Sequence, residues 1–142
     1  MAIFYNKEKI EGLLEQSEVS SLESLAAKTL SHMIKYKNQP DQQSPSWIST
    51  IVRTTLKCEK YGTSIKNKFY NSDISKIYKD TKKDLVHDNV DGYCKKEMLN
   101  DKPEWTLKQI SDKEFIKNFL YSNAKGVDKE LIDRKLKEYK LL

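Results

Sequence analysis

The chain has 142 residues, a net charge of +5 with 33% charged side chains, and only four Gly and three Pro. That length suits one domain able to bury roughly two thirds of its unfolded surface, and the lack of alternating Val, Ile and Thr between Gly-rich turns predicts an all-α protein. No window approaches the roughly 18 consecutive apolar residues of a membrane span, and Lys and Glu are mixed through the first fifteen residues where a signal peptide would be apolar, so a cytoplasmic protein with no membrane attachment is expected.

A short first helix is expected from Asn6 as cap, with Ile10, Leu13 and Leu14 on its apolar edge and Gly12 weakening it. Ser20 followed by Glu23 has the form of a capping box, and Leu22, Leu25, Ala26, Thr29, Leu30 and Met33 recur at three- and four-residue spacing behind it. This predicts a second helix running to Tyr36 or Lys37. Pro40 cannot continue it, and Gln39 before a proline is pushed toward an extended conformation, which makes residues 38–43 a connector. Ser44 then caps a third helix with Pro45 at its first position, where the missing N–H costs nothing. Trp47 falls in the first turn, and Ile48, Ile51, Val52 and Thr55 continue the apolar edge. So short a connector favours antiparallel neighbours, which would bury Trp47 close to His32 or Tyr36.

Gly62, Thr63 and Ser64 read as a break, after which Ile65, Phe69, Ile74, Ile77, Tyr78, Thr81 and Leu85 trace one face of a long fourth helix. Residues 87–104 lose periodicity and predict a long loop before the C-terminal helices. Two start signals follow: Thr106 with Gln109, stapled by Trp105 on Ile110, and Ser111 with Glu114, stapled by Ile110 on Phe115. The second opens a helix through Leu120 that ends before Gly126. Asp128 can cap a last helix bearing Leu131, Ile132, Leu136 and Tyr139. The expectation is a single domain over 1–142, a bundle of five or six helices.

Two stretches resemble one family. The first is His32-Met33-Ile34-Lys35-Tyr36, then Gln39-Pro40, then Ser44-Pro45-Ser46-Trp47 with Thr50-Ile51. The second is Pro103-Glu104-Trp105-Thr106-Leu107-Lys108-Gln109-Ile110 with Asp112, Glu114 and Phe115. Their order and spacing are similar to those of small bacterial proteins, abundant in cyanobacteria, catalogued as domain of unknown function 29. The resemblance covers about residues 20–117 and implies a compact helical fold but no activity. Departures are Tyr36 where Trp is usual and an added segment, 118–142, which is either binding surface or a helix completing the core.

His32 beside a Trp and a Lys could act as a base or ligand. No acidic or nucleophilic partner stands at a telling spacing, so a structural role is assigned to it, as to Tyr36, Pro40, Trp47 and Trp105. His32, Cys58, His87 and Cys94 lack the paired spacing of a zinc site, and the two cysteines read as reduced thiols. The stretch His87 to Gly92 fails as a calcium loop, since His87 and Met98 take ligand positions that need carboxylates. No metal and no cofactor is expected. The charge is concentrated: residues 52–83 carry Arg53, Lys57, Lys60, Lys66, Lys68, Lys76, Lys79, Lys82 and Lys83 against Glu59, Asp73 and Asp80. Interleaved Tyr61, Phe69, Tyr70 and Tyr78 could stack on unpaired bases, although their spacing also fits a core edge under a solvated Lys face. The reading adopted is a non-enzymatic binding module, regulatory or adaptor in role, with a protein partner. Nucleic-acid binding through the basic helix stands second and an enzyme of unrecognised type third. Nothing in the sequence specifies an oligomeric state.

Overall fold

The computed structural model describes residues 7–64, 74–87, 100 and 102–142, with the backbone alone at 7–18, 63–64 and 87. Among the described residues there are six helices and no strand: α1 (Lys7–Asn38), α2 (Pro45–Ser64), α3 (Ile74–His87), α4 (Leu107–Ile110), α5 (Lys113–Ser122) and α6 (Lys129–Glu138), with a 3-10 turn at Pro40–Gln42 between α1 and α2. None of the described helices is long and apolar enough to cross a membrane.

The two helices expected before residue 38 are one, α1, of 32 residues and about 48 Å. Ser20 does not start a helix. Its carbonyl instead accepts the Ser24 hydroxyl at 3.2 Å, the bond a serine makes one turn back inside a helix. Leu13 to Gln16, between Gly12 and Ser20, are good helix formers, so nothing local stops propagation. From Val19 onward α1 buries Leu22, Ala26, Ala27, Leu30, Met33 and Ile34 and forms the middle of the core.

α2 lies antiparallel along α1. Cys58 meets the Leu22 carbonyl, Thr54 meets Thr29, and Gln43 meets the Tyr36 carbonyl, so one chain number falls as the other rises. The Thr29 hydroxyl donates to the Thr54 oxygen at 2.6 Å, and Thr54 donates onward to the Thr50 carbonyl at 2.8 Å. This chain lets hydroxyls sit in the seam without an orphaned donor. The helix starts as expected, since the Trp47 N–H donates to Ser44 Oγ and Pro45 is the first residue. Of the expected break at Gly62, Thr63 and Ser64, Gly62 is buried inside α2, and the helix ends at Ser64. Mid-helix glycine costs only about 1 kcal/mol, less than unwinding a turn packed on the core would forfeit.

Of the residues expected in a long fourth helix, 74–87 are described as α3, whose buried Ile77, Tyr78, Thr81 and Leu85 follow the predicted edge and pack against α1. Residues 65–73 and most of the expected loop, 88–99 and 101, lie outside the described residues. The capping box of Thr106 and Gln109 is present in full and opens α4. The next start is one residue later than expected. Asp112, not Ser111, caps α5, its carboxylate accepting from the Glu114 and Phe115 N–H groups. Ser111 closes α4 instead, and a carboxylate also interacts better than a hydroxyl with a helix N-terminus. Asp128 caps α6 through the Leu131 N–H.

The added C-terminal segment completes the core. Leu120, Ile132 and Leu136 are fully buried, and α5 and α6 both pack on α2. The Tyr121 hydroxyl donates to Asp133, joining α5 to α6.

Candidate functional site

The basic surface is built from the outer sides of α2 and α3. On α2 the inward positions Ile48, Ile51, Val52, Thr55 and Cys58 are buried and set the rotation of the helix. That rotation turns Arg53, Lys57 and Lys60 to solvent. Burial also pushes the Cys58 thiol up to about 12, which keeps it protonated and unreactive. Tyr61 is 48% exposed, with Lys60 Nζ 5.3 Å from its ring centroid.

On α3, Lys76, Lys79 and Lys83 are exposed, but so are Asp80 and Asp84 next to them in the chain, and Lys83 lies 3.9 Å from Asp80. Lys82 is drawn inward, its ammonium 4.7 Å from the Tyr78 ring centroid and donating to the Asn100 carbonyl. Tyr78 itself is fully buried. Of the aromatics interleaved with the basic residues, Tyr78 is therefore core and Tyr61 is surface. Lys66, Lys68, Phe69 and Tyr70 lie outside the described residues.

The residues assigned structural roles sit at the opposite end of α1. His32 is half-buried, with Nδ1 2.9 Å from the Lys28 carbonyl of its own helix. Tyr36 is fully buried, and its hydroxyl donates to the Leu120 carbonyl at 2.7 Å. Desolvation holds that phenol far above its ordinary range. Its ring lies 5.7 Å from Phe119, which in turn receives Trp105 edge-on at 5.3 Å. Lys37 bridges to Glu104 at 2.6 Å and lies 5.9 Å from the Trp105 ring centroid, fixing the entry to α4. The expectation of full burial for Trp47 is corrected: the indole is half-buried against the edge of the core, because the 3-10 turn places the first turn of α2 at the end of the bundle. Of the four weighed metal ligands, Cys58 is buried and free, while the side chain of His87 and all of Cys94 lie outside the described residues. Among the described residues no three His, Cys, Asp or Glu gather into a group that could hold a metal.

Gln43 is the residue that sequence reasoning passed over. In a continuing helix the Tyr36 carbonyl would accept the N–H of residue 40, but residue 40 is a proline and has none. Gln43 Nε2 supplies the missing donor at 2.7 Å and donates also to the Asn123 carbonyl at 2.7 Å. Its Oε1 accepts the N–H groups of Lys125 and Gly126 at 2.9 and 2.8 Å. All four hydrogen-bonding positions of one amide are thus filled, pinning the α5–α6 loop onto the α1–α2 connector. Gly126 allows the approach, for a Cβ there would stand 2.0 Å from the Pro40 carbonyl oxygen. The only legible signal was a proline four residues after a helical carbonyl.

The model of the family described as "Domain of unknown function DUF29" matches residues 7–116, more than half of the chain. No curated protein and no solved structure matches it.

Proposed function

This chain belongs to the DUF29 family, whose description assigns no activity, and we propose that it works as a non-enzymatic helical binding module, regulatory or adaptor in role, with a protein partner. The supporting observation is the surface chemistry of α2 and α3: Arg53, Lys57, Lys60, Lys76, Lys79 and Lys83 stand exposed while Ile48, Ile51, Val52, Ile77 and Leu85 of the same helices are buried in the core. Asp80 and Asp84, exposed among the α3 lysines, favour a protein over a phosphate polymer. A polyanion would meet both carboxylates as like charges, whereas a protein surface can match both signs. The same proposal takes the bacterial cytoplasm as its setting, in keeping with the free thiol of Cys58.

Nucleic-acid binding is the second reading, and the exposed Tyr61 beside Lys60 is what favours it. A salt titration of fluorescent single- and double-stranded oligonucleotides tests the two, on the wild type and on a variant carrying Arg53→Gln, Lys57→Gln and Lys60→Gln. The protein-partner reading expects dissociation constants on the order of tens of micromolar or weaker near physiological salt, with no base-reading contact to tighten them. Submicromolar binding that is lost in the variant replaces it with the second reading.

A further inference from the structure

We propose that the face of α2 formed by Arg53, Lys57, Lys60 and Tyr61 is the docking surface, and that its occupant is an acidic amphipathic helix of the partner protein. The inference rests on the protein-partner reading and names the face and the chemistry that reading leaves open. Between Trp47 and Gly62 these four are the exposed residues of α2. Arg53, Lys57 and Lys60 are spaced by four and then three, so they form one stripe roughly 10 Å long. The buried Ile48, Ile51, Val52, Thr55 and Cys58 behind them prevent the helix from rotating the stripe away.

Glu59, the single acidic residue of α2, is drawn off the stripe. Its Oε2 accepts the Lys113 N–H at 3.3 Å and its Oε1 lies 3.9 Å from Lys113 Nζ. Among the described residues no carboxylate pairs with Arg53, Lys57 or Lys60. The signs mix on α3 with Asp80 and Asp84, on α5 with Glu114 and on α6 with Glu130 and Glu138, while α1 exposes Lys28 and Lys37, nine residues apart with Lys37 paired to Glu104, and α4 exposes Lys108 alone. Among the described helices, a stripe of three exposed cations with no exposed carboxylate is therefore a property of α2.

The occupant follows from spacing. A helix carrying Glu or Asp at successive turns repeats every 5.4 Å or so, the same rise as the stripe, and can set one carboxylate against each cation. Three cations would neutralise only about three phosphates, against the roughly 6–10 contacts of proteins whose nucleic-acid affinity is steeply salt-dependent. The half-exposed Tyr61 ring at the end of the stripe offers an apolar contact for the neutral side of such a helix.

The probe is a synthetic helical peptide with Glu along one stripe and Ala and Leu elsewhere, set against its Gln analogue and a short oligothymidylate. Each is titrated into the full 15N-labelled chain. The Glu peptide is expected to shift the amides of residues 53–61 first, and the Gln analogue to bind about tenfold more weakly, the loss of three surface ion pairs. The Arg53→Gln, Lys57→Gln, Lys60→Gln variant should lose the same factor, while Lys76→Gln, Lys79→Gln, Lys83→Gln should stay within about twofold of wild type. All six positions are exposed, and circular dichroism verifies that both variants fold. Failure of the Glu peptide to bind, equal binding of the Gln analogue, or equal loss in the two variants overturns the α2 inference and leaves the protein-partner reading standing. Oligothymidylate bound submicromolar, and released by the α2 variant, overturns both.

Discussion

Replacing Gln43 by Ala tests whether one side chain holds the α5–α6 loop to the α1–α2 connector. The substitution removes four hydrogen bonds of 2.7 to 2.9 Å. The Tyr36 carbonyl is the buried partner and has no substitute donor, because Pro40 lacks an N–H; leaving it orphaned costs about 2 kcal/mol. The other three partners are partly exposed and can recover water, so about 0.5 kcal/mol each is lost there. The expected destabilisation is about 3.5 kcal/mol by urea unfolding followed by circular dichroism, or a fall in Tm of roughly 7–14 °C for a chain of this length. Gln43→Glu sharpens the test. Its carboxylate can still accept from Lys125 and Gly126 but faces the Tyr36 and Asn123 carbonyls with no proton to give. The protonated acid is therefore favoured in the folded state, raising its pKa above the unfolded value. Stability of this variant should be highest below the unfolded carboxyl pKa and fall as pH rises through the folded one. A Gln43→Ala variant within about 0.5 kcal/mol of wild type, or a Gln43→Glu variant indifferent to pH, would refute the assignment.

Gly126→Ala should cost at least about 2 kcal/mol, since its methyl group would stand 2.0 Å from the Pro40 carbonyl and the obstacle is backbone; an unchanged melting curve would show that the loop can step aside. Trp47→Ala should cost about 2 kcal/mol by the same measurement, less than the roughly 3–5 kcal/mol of a fully buried aromatic, because the indole is half-buried. Cys58, buried with its thiol raised to about 12, should resist maleimide at pH 8 in the native protein and label fully in urea, as read by peptide mass spectrometry.

Local signals in the sequence determined the helical class and most of the helix starts. Ser44 before Pro45, the Thr106–Gln109 box and the Asp128 cap each act within one turn of chain, so the residues that make the bond are visible side by side. The apolar edges of α3 and α6 were legible for the same reason, and so was the concentration of charge in 52–83. Where two local solutions competed, tertiary structure chose between them. Ser20 with Glu23 has the spacing of a cap but lies inside α1 between the buried Val19 and Leu22, and Gly62 is held in α2 by the packing of the turns before it. Ser111 was the expected cap of α5, but it closes α4, and Asp112 takes the position instead. The four bonds of Gln43 could not be read at all, since Asn123, Lys125 and Gly126 lie 80 to 83 residues away along the chain. Nor could periodicity tell exposed Tyr61 from buried Tyr78, or show that Glu59 pairs with Lys113. A residue's own helix sets which way it points, but only the neighbouring elements decide whether solvent, core or an opposite charge is waiting there.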